Sequence, residues 1–144
     1  MYRELLFGGA EIESDKANLG LAILRVIAGL SMAFGHGIGK IPPSAGLVAG
    51  TAKLGFPLPE FFAWAAAFGE FGGGLMLALG LLTRPGTALM GFTMLVAAFG
   101  VHAADPFGVK EMALLYLAIA VMFLLVGSGK YGVDACIRSR LDRS

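Results

Sequence analysis

The sequence predicts an all-α integral membrane protein: a four-helix bundle of up-down-up-down topology with both termini in the cytoplasm. Three observations lead there. The 144 residues are 57% hydrophobic with a mean hydropathy of +0.78, too apolar for a soluble domain of this size to cover with polar surface. Charged residues make up 15% of the chain, well under the roughly 25% of soluble domains, and they are clustered. Four apolar segments, 18–39, 59–82, 85–104 and 109–127, approach the roughly 20 residues needed to cross a bilayer.

Each element has a local reason. Residues 1–17 form a polar N-terminal segment; MYRELLFGGAEIESDK lacks the continuous apolar core of a signal peptide and is expected to stay on the mature protein. The first helix ends in FGHGIGK. The stretch PPSAGLVAGTAKLGFPLP, 42–59, is a Pro- and Gly-rich loop whose middle, 47–54, can make a short interfacial helix. The second helix contains Ala63-x3-Ala67 and Gly69-x3-Gly73, spacings that let helix backbones approach closely in lipid. TRPG at 83–86 is a tight turn, with Thr83 as N-cap and Pro85 in the first turn of the third helix. DPFGV and GSGKYG bound the fourth helix, and a basic tail, 135–144, follows. The short connections make consecutive helices antiparallel, so 18–134 is one transmembrane domain.

Charge and cysteine content exclude several classes. A net charge of +1 without a basic stripe argues against nucleic-acid binding. The single cysteine, Cys136, excludes an intramolecular disulfide, a CxxC redox centre and a cysteine-built zinc site. With the N-terminus inside, Arg3, Lys16, Arg84, Lys130, Arg138, Arg140 and Arg143 lie on the inner side, against Lys40, Lys53 and Lys110 outside. This asymmetry favours cytoplasmic termini in the cell inner (plasma) membrane.

An ionisable side chain within a membrane segment requires a partner or a water-filled cavity. Arg25 in the first helix and Glu70 in the second both fall in the central region of antiparallel helices, and a buried Arg25–Glu70 pair is expected. Arg25, Met32 and His36 are spaced by seven and eleven residues, which returns each to one face within about 20°. His36, Lys40, Glu70, His102, Asp105 and Glu111, with Tyr116 below, then share the outer half of the bundle. Three readings are open: a structural polar lining in which Lys40, Asp105 and Glu111 reach for interfacial water, as Lys110 does beside them, a metal site of His and Glu, or an acid–base pocket for a small polar or quinone-like ligand. No HxxxH or ExxH pair supports the metal at helical spacing.

LGLAILRVIAGLSMAFGHGIGK at 19–40, the run from GFPLP to VH at 55–102 with its E-x-x-GG and GLLTR, Lys110-Glu111-x4-Tyr116, and GSGKYGVDA at 127–135 together resemble the DoxX family of small four-helix membrane proteins. GFPLP replaces the family's GLP, and YGVD replaces YSLD. The resemblance implies a redox-associated membrane protein binding a quinone or similar ligand in the outer half of the bundle, as a subunit or partner of a quinone-linked oxidoreductase. It points to His36, His102 and Glu70 as proton-exchanging catalytic groups and to Arg25, Lys40, Glu111 and Tyr116 as ligand-binding ones. A transporter or lipid-binding protein with a midplane site at Arg25 and Glu70 is the alternative. Self-association through small-residue faces is a further expectation.

Overall fold

The computed structural model describes residues 2–141 and 143, and every regular element among them is helical. The elements are α1 (Tyr2–Phe7), α2 (Asp15–Met32), α3 (Ala45–Lys53), α4 (Pro59–Leu79), α5 (Thr83–Val96), α6 (Phe107–Val126) and α7 (Val133–Leu141). A π-helical turn, Ala33–Gly37, and a 3-10 turn, Ile38–Lys40, extend α2; a second π-helical turn, Ala97–Val101, extends α5. With these extensions, four helices of 26, 21, 19 and 20 residues are long and apolar enough to cross a membrane. They run up-down-up-down as expected, with α1 and α7 together at the end of the bundle where the chain starts and finishes: Arg138 donates to the carbonyl of Phe7, and the Ala10 N–H to that of Val126 at 2.9 Å.

The helices differ from expectation in ways that have local causes. The first begins three residues earlier than position 18 because Ser14 caps it, its hydroxyl accepting from the Ala17 N–H at 3.3 Å. The short helix after the first span runs over Ala45–Lys53 and is capped in the same manner by Ser44, which accepts from Leu47. Thr83 is not the N-cap of α5. Leu82 holds that position, and the cap is supplied from far along the chain: Asp134 accepts from the N–H groups of Leu82 (2.7 Å) and Thr83 (2.9 Å) and from the Thr83 hydroxyl (2.7 Å). Leu82 sits in the left-handed region at φ 48°, a conformation costing a bulky side chain about 1–3 kcal/mol, which these bonds hold in place. Most of the segment expected as a basic tail, 135–144, is helical: α7 runs over Val133–Leu141. Met1, Asp142 and Ser144 lie outside the described residues.

Small residues set the register of the bundle. A methyl group on Gly29 would collide with Gly74 and Ala78, and one on Gly37 with the backbone of Glu70 and Phe71. The backbones of α2 and α4 therefore touch along one seam. Gly69-x3-Gly73 faces the next helix instead: Gly73 abuts the carbonyl of Gly86, and Gly69 abuts Leu89 and Thr93. Inside, Met32, Leu77, Met90, Met94 and Phe123 form the apolar centre, closed by Ala28, Ala120 and Tyr116. Large apolar side chains such as Ile27, Phe68, Phe99 and Leu125 are more than half exposed on the outside, as helices surrounded by lipid require.

Candidate functional site

The seam between α2 and α4 decides which charges meet. Gly37 is level with Glu70, so Lys40, one turn further, lies just beyond that carboxylate and its long side chain folds back to it. Lys40 Nζ stands 2.5 Å and 2.6 Å from the two Glu70 oxygens. Glu70 is 3% exposed and Lys40 38%. The ammonium thus bridges a buried carboxylate and the end of the bundle opposite both termini, the outer end as against the inner end that holds the termini, and Lys40 folds back to Glu70 where snorkelling to water is one expectation from the sequence. A carboxylate at this depth needs such a counter-charge, because removing one member of a buried pair strands the other at a cost of about 3–5 kcal/mol.

Beside the pair lies a half-open cavity of about 270 Å³ bordered by α3, α4 and α5. Lys40 and Glu70 form its charged wall. Leu47 and Gly50 of α3 form the roof, and Phe62, Ala66, Phe92 and Val96 line the sides. Two hydroxyls border it as well, but both are engaged within their own helices: Thr51 donates to the Leu47 carbonyl (2.9 Å) and Thr93 to that of Leu89 (3.1 Å). The space is apolar except at one end.

Arg25 does not pair with Glu70. It lies at the opposite end of α4, where Nη1 donates to the carbonyls of Leu77 (2.9 Å) and Ala78 (2.7 Å) and Nη2 to that of Tyr131 (3.3 Å). Gly29 abuts Ala78, and Arg25 is a turn further inward, so the seam carries it past the end of α4. Leu77 is seven residues from Glu70, about 10 Å at 1.5 Å per residue. The guanidinium serves as a C-terminal cap, neutralising free carbonyls and the negative end of the helix dipole. Gly80 makes room for it. Its φ of 66° turns the chain, and any Cβ there would overlap the Arg25 side chain.

The remaining expected residues fall into separate groups at the outer end. His36 is exposed on the π-helical turn and meets Tyr116 of α6 edge to face, ring centroids 5.6 Å apart. His102 follows the second π-helical turn and pairs with Asp105 at 2.7 Å, while Glu111 is exposed in the second turn of α6. Neither histidine lines the cavity under α3. The structure therefore joins Lys40 to Glu70 and His36 to Tyr116, leaves His102 and Glu111 at the rim, and sends Arg25 to the other end. Among the described residues no three His, Cys, Asp or Glu side chains come close enough to share a metal ion.

Sequence reasoning did not single out the roof. Gly46-x3-Gly50 within α3 is the signal that could have marked it, since two small residues one turn apart leave space beneath a short helix. The buried polar clamp at the inner end, Asn18 and Asp134, was likewise unmarked: Asn18 donates to the carbonyls of Ile12 (2.8 Å) and Ser14 (3.0 Å) and accepts from the Lys130 N–H (2.9 Å).

Four apolar helices with a hydrogen-bonded inner end and a hollow outer one define a small polytopic membrane protein. The chain belongs to the DoxX family, whose pattern matches residues 20–103. It is similar to a Bacillus subtilis (strain 168) protein named "Putative oxidoreductase CatD", 32% identical over 117 residues, or 81% of this chain and 85% of that one. No solved structure matches it.

Proposed function

We propose that the protein binds a quinone, or a small lipophilic molecule resembling one, in the cavity beneath α3, and works with a quinone-linked oxidoreductase in the plasma (inner) membrane. One observation carries this reading: Lys40, partly exposed, and the buried Glu70 form the single charged wall of an otherwise apolar cavity between α3 and the α4–α5 pair. Such concave apolar sites with a few convergent polar groups are the usual form of a ligand pocket. The printed name of the Bacillus subtilis relative supports a redox setting. The excess of Lys and Arg at the end holding both termini supports cytoplasmic termini, with the cavity toward the outer leaflet.

A bound quinone supplies two-electron, two-proton redox chemistry. The chain supplies the surroundings. Lys40 Nζ can donate to a ring oxygen and, as a cation, stabilise negative charge gathering there. Glu70 fixes Lys40 in place and offers a carboxylate that can accept a proton from a ring hydroxyl or return one to it. The apolar walls exclude water from the ring. His36 and His102, at the outer rim, are placed to exchange protons with the aqueous side.

The test is to purify the protein in mild detergent, extract what remains bound, and identify it by mass spectrometry. A quinone retained by the wild type and depleted at least tenfold in Lys40→Met supports the proposal. A phospholipid in its place would favour the lipid-binding alternative, and an empty cavity would overturn both.

A further inference from the structure

Resting on that reading, we propose that the ligand of this cavity is a tailed molecule: its polar head meets Lys40 and Glu70, and its apolar tail runs out from beneath α3 over α5, past Leu89 and Phe92, into the surrounding lipid. Gly50 then sets the room available to the head.

The argument begins with size. At about 270 Å³ the cavity lies just under the usual range of roughly 300–1,000 Å³ for ligand sites, enough for a ring and the first part of a chain. Anything longer must continue outside. The only charged groups on its wall, Lys40 and Glu70, stand together at one end, and the hydroxyls of Thr51 and Thr93 are occupied by their own helices. A small water-soluble molecule with polar groups all round would leave most of them unpaired here, at a cost of about 1–3 kcal/mol each. A molecule polar at one end only would not.

The mouth supplies the second observation. Two of the lining residues, Leu89 and Phe92, are 41% and 50% exposed on α5, on the side of the bundle that faces lipid. The cavity is therefore bounded, away from its charged wall, by side chains that are themselves in contact with hydrocarbon. A tail passing between them stays in an apolar medium throughout. The third is the roof. Gly50 lines the cavity, yet a Cβ built on it meets nothing within 4 Å. The missing side chain is not demanded by close packing of helix against helix, unlike Gly29, Gly37 or Gly74. What its absence preserves is space above the ring.

The experiment uses the full chain in lipid nanodiscs with two probes of equal length carrying a diazirine on the tail: a tailed benzoquinone and a fatty alcohol lacking the ring. Illumination followed by peptide mass spectrometry locates the tail. The proposal expects the benzoquinone probe to label the segment around Leu89–Val96, and Gly50→Leu to cut that labelling about tenfold. A Cβ at this position meets nothing within 4 Å and leucine is the better helix former, so the variant is expected to fold, which its helical circular dichroism and unfolding temperature check. Gly20→Leu, also free of contacts within 4 Å but on α2 and outside the cavity, should label as the wild type does.

If the fatty alcohol labels the same segment as strongly and with the same sensitivity to Gly50→Leu, the tailed-ligand inference stands and the quinone reading falls. Labelling that avoids the segment, or that Gly50→Leu leaves unchanged, overturns the inference. A tail-less benzoquinone bound as tightly as the tailed one, after correction for partitioning into lipid, would also overturn it while leaving the quinone reading intact.

Discussion

The two ends of the bundle use the same kinds of residue for opposite ends. At the inner end Arg25, Asn18, Thr83 and Asp134 are all at most 3% exposed, and almost every polar atom they bring is matched to a backbone group. Of these four residues' side chains, Arg25 alone keeps a buried atom, Nε, without a hydrogen-bond partner. At the outer end Thr51, Thr93 and Lys110 donate to backbone carbonyls, but the carboxylate and the histidines meet other side chains: Glu70 with Lys40, His36 with Tyr116, His102 with Asp105. The helices also lose regularity there, in two π-helical turns at Ala33–Gly37 and Ala97–Val101, a feature that often accompanies function. Charge that is tied to backbone stabilises a fold. Charge tied only to a neighbouring side chain can exchange that neighbour for a ligand.

The comparison makes its largest prediction at Asp134. Asp134→Ala removes three hydrogen bonds, leaves the Thr83 N–H buried without an acceptor, and releases the left-handed turn at Leu82. A loss of about 3–5 kcal/mol is expected, read as a fall in unfolding temperature in detergent. A loss under about 1 kcal/mol would show that the inner clamp does not hold the bundle together.

The next largest effect falls on the two charges expected from the sequence to pair. Arg25→Ala should cost about 2–4 kcal/mol through the orphaned carbonyls of Leu77 and Ala78 and the lost packing beside Gly80. Combined with Glu70→Gln, the losses should add to within about 0.5 kcal/mol, because the two sites are a helical stretch apart and share no partner. Coupling well above that would restore the direct Arg25–Glu70 pair.

Why that pair was expected, and why it fails, shows how far the sequence carries. Hydropathy is a property of long segments, so four spans and their order were legible, and the break between the first two left room for the short helix α3. Ion-pair partners depend on the register of helix against helix to within one turn, and the register here is set by which glycines meet. Gly29 against Gly74 and Ala78, and Gly37 against Glu70, are contacts that no periodicity in a single helix specifies. Counting residues from each helix end placed Arg25 and Glu70 at similar depth; the true seam places Lys40 there. The cavity was illegible for a related reason. It is a space left by residues of three helices, and neither Gly50 nor Ala66 announces it alone.

At the outer end the expected effects on folding are smaller. Glu70→Gln keeps the shape of the side chain and removes a charge whose partner Lys40 can turn to water, so unfolding should shift by no more than about 1–2 kcal/mol. Quinone retention should fall more than stability does. If the variant instead collapses like Asp134→Ala, the outer pair is a structural clamp and the contrast between the two ends is lost.

The smallest effect belongs to Lys130, on the aqueous side of the inner end, outside the spans. Its ammonium bonds to Asp15 at 2.6 Å, and both side chains are mostly exposed, 58% and 70%. That hydrogen bond, helped by the charge of Asp15, raises the Lys130 pKa above its ordinary value. A lysine whose pKa is raised on folding adds stability that is fully present below the unfolded value of about 10.4 and disappears as pH climbs through the higher folded value. Lys130→Met should therefore lower the unfolding temperature slightly and by the same amount from pH 7 to pH 9, with the difference from wild type shrinking only at more alkaline pH. The backbone bond from the Lys130 N–H to Asn18 survives the substitution, so the rest of the clamp is unchanged. Added salt should shrink the difference at every pH, since an exposed pair is screened. A difference that fades already between pH 7 and pH 9 would mean that some other group, and not this lysine, links the first and last segments of the chain.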